Sequence, residues 1–194
     1  AAATPPGQLR IAFSAVAPNG ATVNPECAIA VENVARLCAG LGHHVEDAAP
    51  HVPEEYFNWF LIAFLAAVGQ EFAFAEEITG VKARRADVED STWLCRELGR
   101  AFSAAELSVT LERLHRASRQ IAIFFERYDL LLTPTLAAPP VRHGELHPQG
   151  LEAALQALAA RLGIGPYLRY GPLLQQAADR ACRFIPFTPV WNIK

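Results

Sequence analysis

The pattern of apolar and polar positions along the 194-residue chain changes period several times, and each change marks an element. Leu9-Arg10-Ile11-Ala12-Phe13-Ser14 alternates at its start and runs into the turn-forming Pro18-Asn19-Gly20, which predicts a strand entering a loop. Asn24 then stands where a helix cap is wanted. Pro25 follows at the first helical position, where a missing N–H costs nothing. Val31, Val34, Ala35, Cys38 and Leu41 recur at helical spacing and predict the buried stripe of this helix, which Gly42 ends in a left-handed residue. His44-Val45-Glu46-Asp47 predicts a second strand. Together these make a strand–helix–strand unit, the pattern of an α/β fold.

From Pro53 to about Ile78 the chain is apolar nearly all round in its first half, which predicts a long, buried core helix closed by Thr79-Gly80. A polar stretch, Lys82 to Asp90, predicts a solvated loop or a short helix. Ser103 and Glu106 have the spacing of a capping box, in which each side chain satisfies a free backbone donor beside the other residue. The helix they open carries Leu107, Leu111, Leu114, Ile121 and Phe125 on one face, with Glu112 and Arg116 at i,i+4 spacing on the other. Leu130-Leu131-Leu132-Thr133 is a short apolar run suited to a strand covered on both sides, stopped by Pro134. Residues 149–183 turn alanine- and leucine-rich and are broken by Gly163, Gly165, Pro166 and Pro172, which predicts an insert of two or three helices. Phe184 to Lys194 is expected to be extended. The whole chain, 1–194, reads as a single partial domain with 149–183 as a helical insert.

Composition narrows the function classes. The hydrophobic fraction is 52% and the charged fraction 19%, which is the balance of a folded chain. The net charge of −3 and scattered basic residues give no electrostatic footprint for nucleic acid or an anionic membrane surface. The apolar segment Tyr56 to Val68 falls short of the roughly 20 residues that span a bilayer. The N-terminal residues lack the basic and apolar regions of a signal peptide. Cys27, Cys38, Cys95 and Cys182 are widely spaced, without a C-x-x-C pair, and are expected to be buried thiols of a cytoplasmic protein.

A self-contained catalytic constellation is not visible. There is no G-x-S-x-G elbow, phosphate-cradling glycine loop or H-E-x-x-H. Gly163-Ile164-Gly165-Pro166 is too short for a dinucleotide fingerprint and reads as a helix-breaking turn. His143-Gly144-Glu145-Leu146-His147 places two imidazoles near a carboxylate but not on one helix face, so no metal site is expected. His43-His44, at a helix-to-strand turn, is expected to serve packing or the surface. Cys95 beside Arg96 is the one thiol that an adjacent cation could activate, with no histidine nearby in sequence as base.

Four segments carry a resemblance. Phe125 with Tyr128-Asp129-Leu130-Leu131-Leu132-Thr133-Pro134-Thr135 resembles the "F-x-x-Y-D-x-L-L-x-P-T" segment of the amidase signature family. Leu9-Arg10-Ile11-Ala12 followed by Val23-Asn24-Pro25-Glu26 is similar to the strand and helix start that follow its catalytic core. Leu41-Gly42-His43 with Val45-Glu46 resembles "L-G-H-x-V-E", and Pro186-Phe187-Thr188 with Asn192 resembles "P-F-T-x-x-x-N". The order and spacing of the four agree with the family. The resemblance implies an α/β fold in which this helix-rich chain forms part of a mixed β-sheet flanked by helices. It also implies hydrolysis of a carbon–nitrogen amide bond without metal or cofactor.

In that family a nucleophilic serine passes its proton through a second serine to a neutral lysine, while backbone N–H groups hold the oxyanion. Neither Lys82 nor Lys194 sits in a matching motif, and no serine here has the glycine/serine-rich surroundings of the nucleophile. No catalytic residue is therefore assigned within this chain; the family's serines and lysine are expected upstream of residue 1. Proximity to the "P-F-T-x-x-x-N" segment makes Thr188, Trp191 and Asn192 candidates for the wall of a substrate pocket. The aromatic run Tyr56, Phe57, Trp59, Phe60 and Phe64 is expected mainly to pack in the core. The implied partner is a small-molecule amide substrate, with homo-oligomer formation through exposed apolar surface and no nucleic-acid or membrane partner. Two other functions stand beside this one: a non-catalytic scaffold or binding module derived from an amidase, and an independent thiol or metal enzyme using Cys95 or the His143/His147 pair.

Overall fold

The computed structural model describes residues 6–145, 149–168 and 171–192, with only the backbone described for Pro172, Leu173, Leu174 and Ala177. His147 and Lys194 lie outside the described residues. Among the described residues, three strands and seven α-helices follow in the order β1 (Arg10–Phe13), α1 (Pro25–Gly40), β2 (His44–Asp47), α2 (Tyr56–Thr79), α3 (Asp90–Gly99), α4 (Ala104–Arg127), β3 (Leu130–Leu132), α5 (Gly150–Leu162), α6 (Gly165–Leu168) and α7 (Pro172–Phe184). Short 3₁₀ turns occupy Arg85–Asp87 and Thr188–Val190. The chain is α/β, and it divides into two compact units interleaved along the sequence.

The first unit holds residues 1–57, 114–140 and 180–194. Its sheet has the order β2-β1-β3, and both pairings are parallel, Ile11 lying opposite Val45 on one side and Leu130 on the other. The order of the strands reverses at β1: α1 carries the chain from β1 to β2 on one side, and α4 leads it into β3 on the other. Ile11 and Ala12 point to opposite faces and are both fully buried, so both faces of β1 are covered. Val31 and Ala35 of α1, and Leu114, Ala117 and Ile121 of α4, supply buried residues to this unit.

The local signals that start these elements act as the sequence implies. The Asn24 side chain accepts the Glu26 N–H at 2.8 Å, and Pro25 opens the helix. Gly42 follows its end at φ +92°, a conformation that a side chain would strain. Ser103 and Glu106 form the reciprocal capping pair, with bonds of 2.8 and 3.2 Å. His43 Nδ1 accepts the Leu9 N–H at 3.2 Å, so this imidazole packs the helix end onto the start of β1.

Several expectations are corrected. Val34 and Leu41 are exposed, because the buried face of α1 is narrower than its apolar pattern and centres on Val31 and Ala35. β3 is an edge strand, so Leu130 is exposed and its two successors are only half-buried. The four cysteines are half-buried instead of buried. The last segment is wound into the 3₁₀ turn at Thr188–Val190, with Pro189 in its first turn, instead of running extended. Helix α2 is not a buried core helix: Tyr56, Leu65 and Phe72 are buried, whereas Phe64, Phe74 and Ile78 are exposed. Its 24 residues are, by length and composition alone, enough to cross a membrane, and only 11% of its most apolar window is buried.

The second unit holds residues 58–113 and 141–179. Helix α3, in a stretch where the sequence predicted no defined helix, is its centre. Gly99 lies against the Leu65 backbone of α2, and a Cβ there would overlap the Leu65 carbonyl oxygen. Arg96 is nearly buried over the rings of Trp93 and Phe72, at 4.6 and 5.2 Å from their centroids, and pairs with Glu97 at 2.7 Å. α5 and α6 pack on α3, and Gly163 ends α5 in the left-handed conformation at φ +64°.

Candidate functional site

The ends of the parallel strands form the site. In an open α/β sheet the loops leaving the carboxyl ends of two neighbouring strands diverge where the strand order reverses, and a crevice opens between them. Here the order reverses at β1, and a crevice of about 240 Å³ lies at these strand ends. Ser14, Val16, Ala17 and Pro18 line it from the loop after β1. Ala49, Pro50, His51 and Val52 come from the loop after β2, and Leu131 and Thr133 from the end of β3. Phe187, Val190 and Trp191 form the remaining wall.

Backbone and side-chain bonds fix these walls. The strand ends are extended past the sheet by Ser14 N–H donating to Leu132 at 3.0 Å and Ala48 N–H to Phe13 at 3.1 Å. The loop after β3 is tied to both sides, with Asn24 N–H donating to Ala137 at 2.7 Å and Ala137 N–H to Phe184 at 3.0 Å. The Asn19 side chain donates to the Cys182 carbonyl at 2.9 Å. Tyr56 is fully buried, and its hydroxyl donates to the Val190 carbonyl at 3.1 Å, which anchors the 3₁₀ turn and the wall it carries. Burial raises the Tyr56 phenol above its ordinary pKa, so the hydroxyl remains the donor across the neutral range.

The Tyr-Asp pair before β3 is a clamp on the sheet. Asp129 accepts from the Arg10 backbone N–H at 2.8 Å and from its guanidinium at 2.8 and 3.3 Å, and the Arg10 guanidinium also donates to the Glu126 carbonyl. The hydrogen bonds from Arg10 hold the Asp129 carboxyl at about 2, below its ordinary 3.8. Tyr128 donates to Glu46 of β2 at 2.7 Å, and Arg127 pairs with the same oxygen at 2.7 Å. The Tyr128 hydrogen bond, foremost, lowers the Glu46 pKa. These groups join β1, β2 and β3 and leave the chemistry of the crevice to others.

Of the residues singled out in the sequence, Trp191 lines the crevice, 42% exposed and packed edge-to-face on Phe125 at 6.0 Å. Thr188 starts the 3₁₀ turn, its carbonyl accepting the Trp191 N–H at 3.1 Å, and neither Thr188 nor the exposed Asn192 is among the lining residues. Of the aromatic run, Tyr56 acts through Val190, and none of the five lines the crevice. Sequence reading missed Ser14, His51 and Thr133. The available signal was their position just past the strands of a strand–helix–strand unit, where such folds bind ligands.

The crevice lacks an evident nucleophile. Ser14 is buried and its Oγ accepts the Val16 N–H at 3.1 Å; among the described residues it bonds to no histidine or lysine. Cys95 is not an activated thiol, because burial pushes its pKa up and the neighbouring Arg96 is engaged with Glu97 and two rings. No group of three His, Cys, Asp or Glu side chains able to hold a metal occurs among the described residues.

Residues 1–162 match the family model described as Amidase. The chain belongs to the amidase family. A Mycobacterium leprae protein, AmiC, which carries the name of an amidase, is 28% identical over 98% of this chain and 36% of its own length. The 6-aminohexanoate-cyclic-dimer hydrolase of Pseudomonas sp. (strain NK87) is 29% identical over 73% of this chain and 29% of its own. A solved structure of a 6-aminohexanoate cyclic dimer hydrolase superimposes with a TM-score of 0.64 at 26% identity, covering 84% of this chain and 37% of that one. The chain thus spans about a third of the length of the amidase relatives it matches.

Proposed function

We propose that this chain is part of an enzyme that hydrolyses a carbon–nitrogen amide bond by a serine–serine–lysine mechanism, with the catalytic residues outside these 194 positions. The observation that carries this reading is the amidase match over residues 1–162 in a chain whose crevice serine, Ser14, accepts the Val16 N–H and bonds to no base among the described residues. In such an enzyme the chain contributes scaffold and one wall of the acyl pocket, formed by Phe187, Val190 and Trp191 at the carboxyl ends of the strands. Thr188 and Asn192 stand beside that wall and would shape it through the 3₁₀ turn. The substrate is a small amide; the 6-aminohexanoate cyclic dimer is what the named hydrolase relatives act on. The exposed apolar side chains of α1 support this reading over that of a self-sufficient binding module, because they suit contact with further protein.

A serine-directed fluorophosphonate tests the division of labour. The expected result is no stoichiometric adduct on this chain by intact mass. Stoichiometric labelling of one of its serines would overturn the assignment of the nucleophile to other residues.

A further inference from the structure

Helix α5 carries a pattern that the crevice does not use. Leu151, Leu155, Leu158 and Leu162 recur at spacings of four, three and four, the seam of a helix that packs against another helix. These four leucines are 75%, 47%, 50% and 60% exposed, whereas the buried residues of the helix, which packs on α3, are Ala159 and Ala160. The residues around the seam read nearly the same in both directions. Forward from Gly150 the order is Gly-Leu-Glu-Ala-Ala-Leu-Gln, and backward from Gly163 it is Gly-Leu-Arg-Ala-Ala-Leu-Ala. The charged position changes sign, and the central one changes polarity.

Such inverse symmetry suits one occupant in particular. In a two-fold dimer the same patch must complement itself. Two α5 helices laid antiparallel about a point between Gln156 and Ala157 set Leu151 level with Leu162 of the second copy, and Leu155 level with Leu158. The same pairing sets Glu152 level with Arg161, opposite in charge, and opposes the two helix dipoles. Parallel pairing would set each of these charges level with its own kind. We propose that α5 is a dimerisation helix, its leucine seam packed antiparallel against the same seam of a second copy of this chain. The proposal is independent of the amidase reading. Four leucines on one 13-residue helix make a small interface beside the roughly 800 Å² per partner of a standard one. The dimer is therefore weak, with a dissociation constant on the order of 10–100 µM.

Sedimentation equilibrium of the chain tests this, in a Leu37→Lys, Leu41→Lys background that removes an exposed apolar pair of α1 and its cap. A monomer–dimer equilibrium is expected in that range. Adding Leu155→Lys and Leu158→Lys should weaken it at least about tenfold, with the circular dichroism spectrum unchanged. The direction of pairing is read separately, by mixing Leu151→Cys chains with Leu162→Cys chains under mild oxidation. The four native cysteines of the parent set the background. The mixture is expected to give more disulfide-linked dimer than either variant alone, and this readout holds even if the two lysines unfold the helix. A chain that stays monomeric would overturn the pairing and leave the seam to a different partner. Indifference to the two lysines, or cross-linking of Leu151→Cys chains to themselves in preference to the mixture, would overturn it as well.

Discussion

Asp129 shows how a residue that reads as part of a family motif acts through structure. It lies on the surface beside Arg10, the pair being 36% and 49% exposed, and an isolated surface ion pair contributes little. Its geometry sets it apart, because one carboxylate accepts both a backbone N–H and two guanidinium nitrogens and so fixes β3 against β1. The bound form is the carboxylate, and the folded-state pKa of about 2 is below the ordinary 3.8. Its stabilising contribution is therefore complete above pH 4 and is lost as pH falls toward 2. Asp129→Asn should lower the melting temperature at neutral pH, and the gap to the parent should close across that acid window. A gap that is constant with pH would show that the charge has no part in the clamp. Tyr56 makes the complementary case, a buried residue whose hydroxyl positions the crevice wall through one backbone carbonyl.

At the level of elements, α3 is decided by its neighbours. Its residues Asp90–Gly99 mix charged and apolar positions, and no side-chain cap bond starts it, so local signals are weak. Packing supplies what they lack: Gly99 admits the Leu65 backbone of α2, and the Arg96 guanidinium is sandwiched against Trp93 and Phe72. Gly99→Ala would drive a methyl group into a backbone carbonyl that cannot turn aside. Overpacking of this kind costs roughly 1–3 kcal/mol, so thermal or urea unfolding should show a clear loss of stability, and a loss within a few tenths would contradict the close contact. By contrast α1 and α4 begin where Asn24 and the Ser103–Glu106 pair say they should, because caps are short-range bonds written in adjacent residues.

For the whole molecule, the informative quantity is the apolar surface left uncovered. Ile29, Val34, Leu37 and Leu41 along α1 are 46–69% exposed, and Leu130 on the edge strand adds 46%. Scattered apolar residues are ordinary on a surface, but four on one 16-residue helix and its cap invite association. The isolated chain is accordingly expected to self-associate at micromolar concentrations. Sedimentation velocity should show species larger than the 21.1 kDa monomer, reduced by the pair Leu37→Lys and Leu41→Lys. A clean monomer across that range would show that this surface is tolerated by water.

The sequence alone determined the strand–helix–strand unit, the helix caps, the left-handed glycines and the amidase family, since each is carried by neighbouring residues or by ordered short motifs. Tertiary structure decided the rest. Periodicity marks a face as apolar but not as covered, so Val34, Leu41 and most of α2 read as core and emerge exposed or half-exposed. Likewise an apolar run such as Leu130-Leu131-Leu132 gives no sign of whether its strand is central or at an edge. The crevice is the clearest instance: Ser14, His51, Leu131 and Trp191 are far apart in sequence and unremarkable singly, and only the reversal of strand order at β1 brings them to one place.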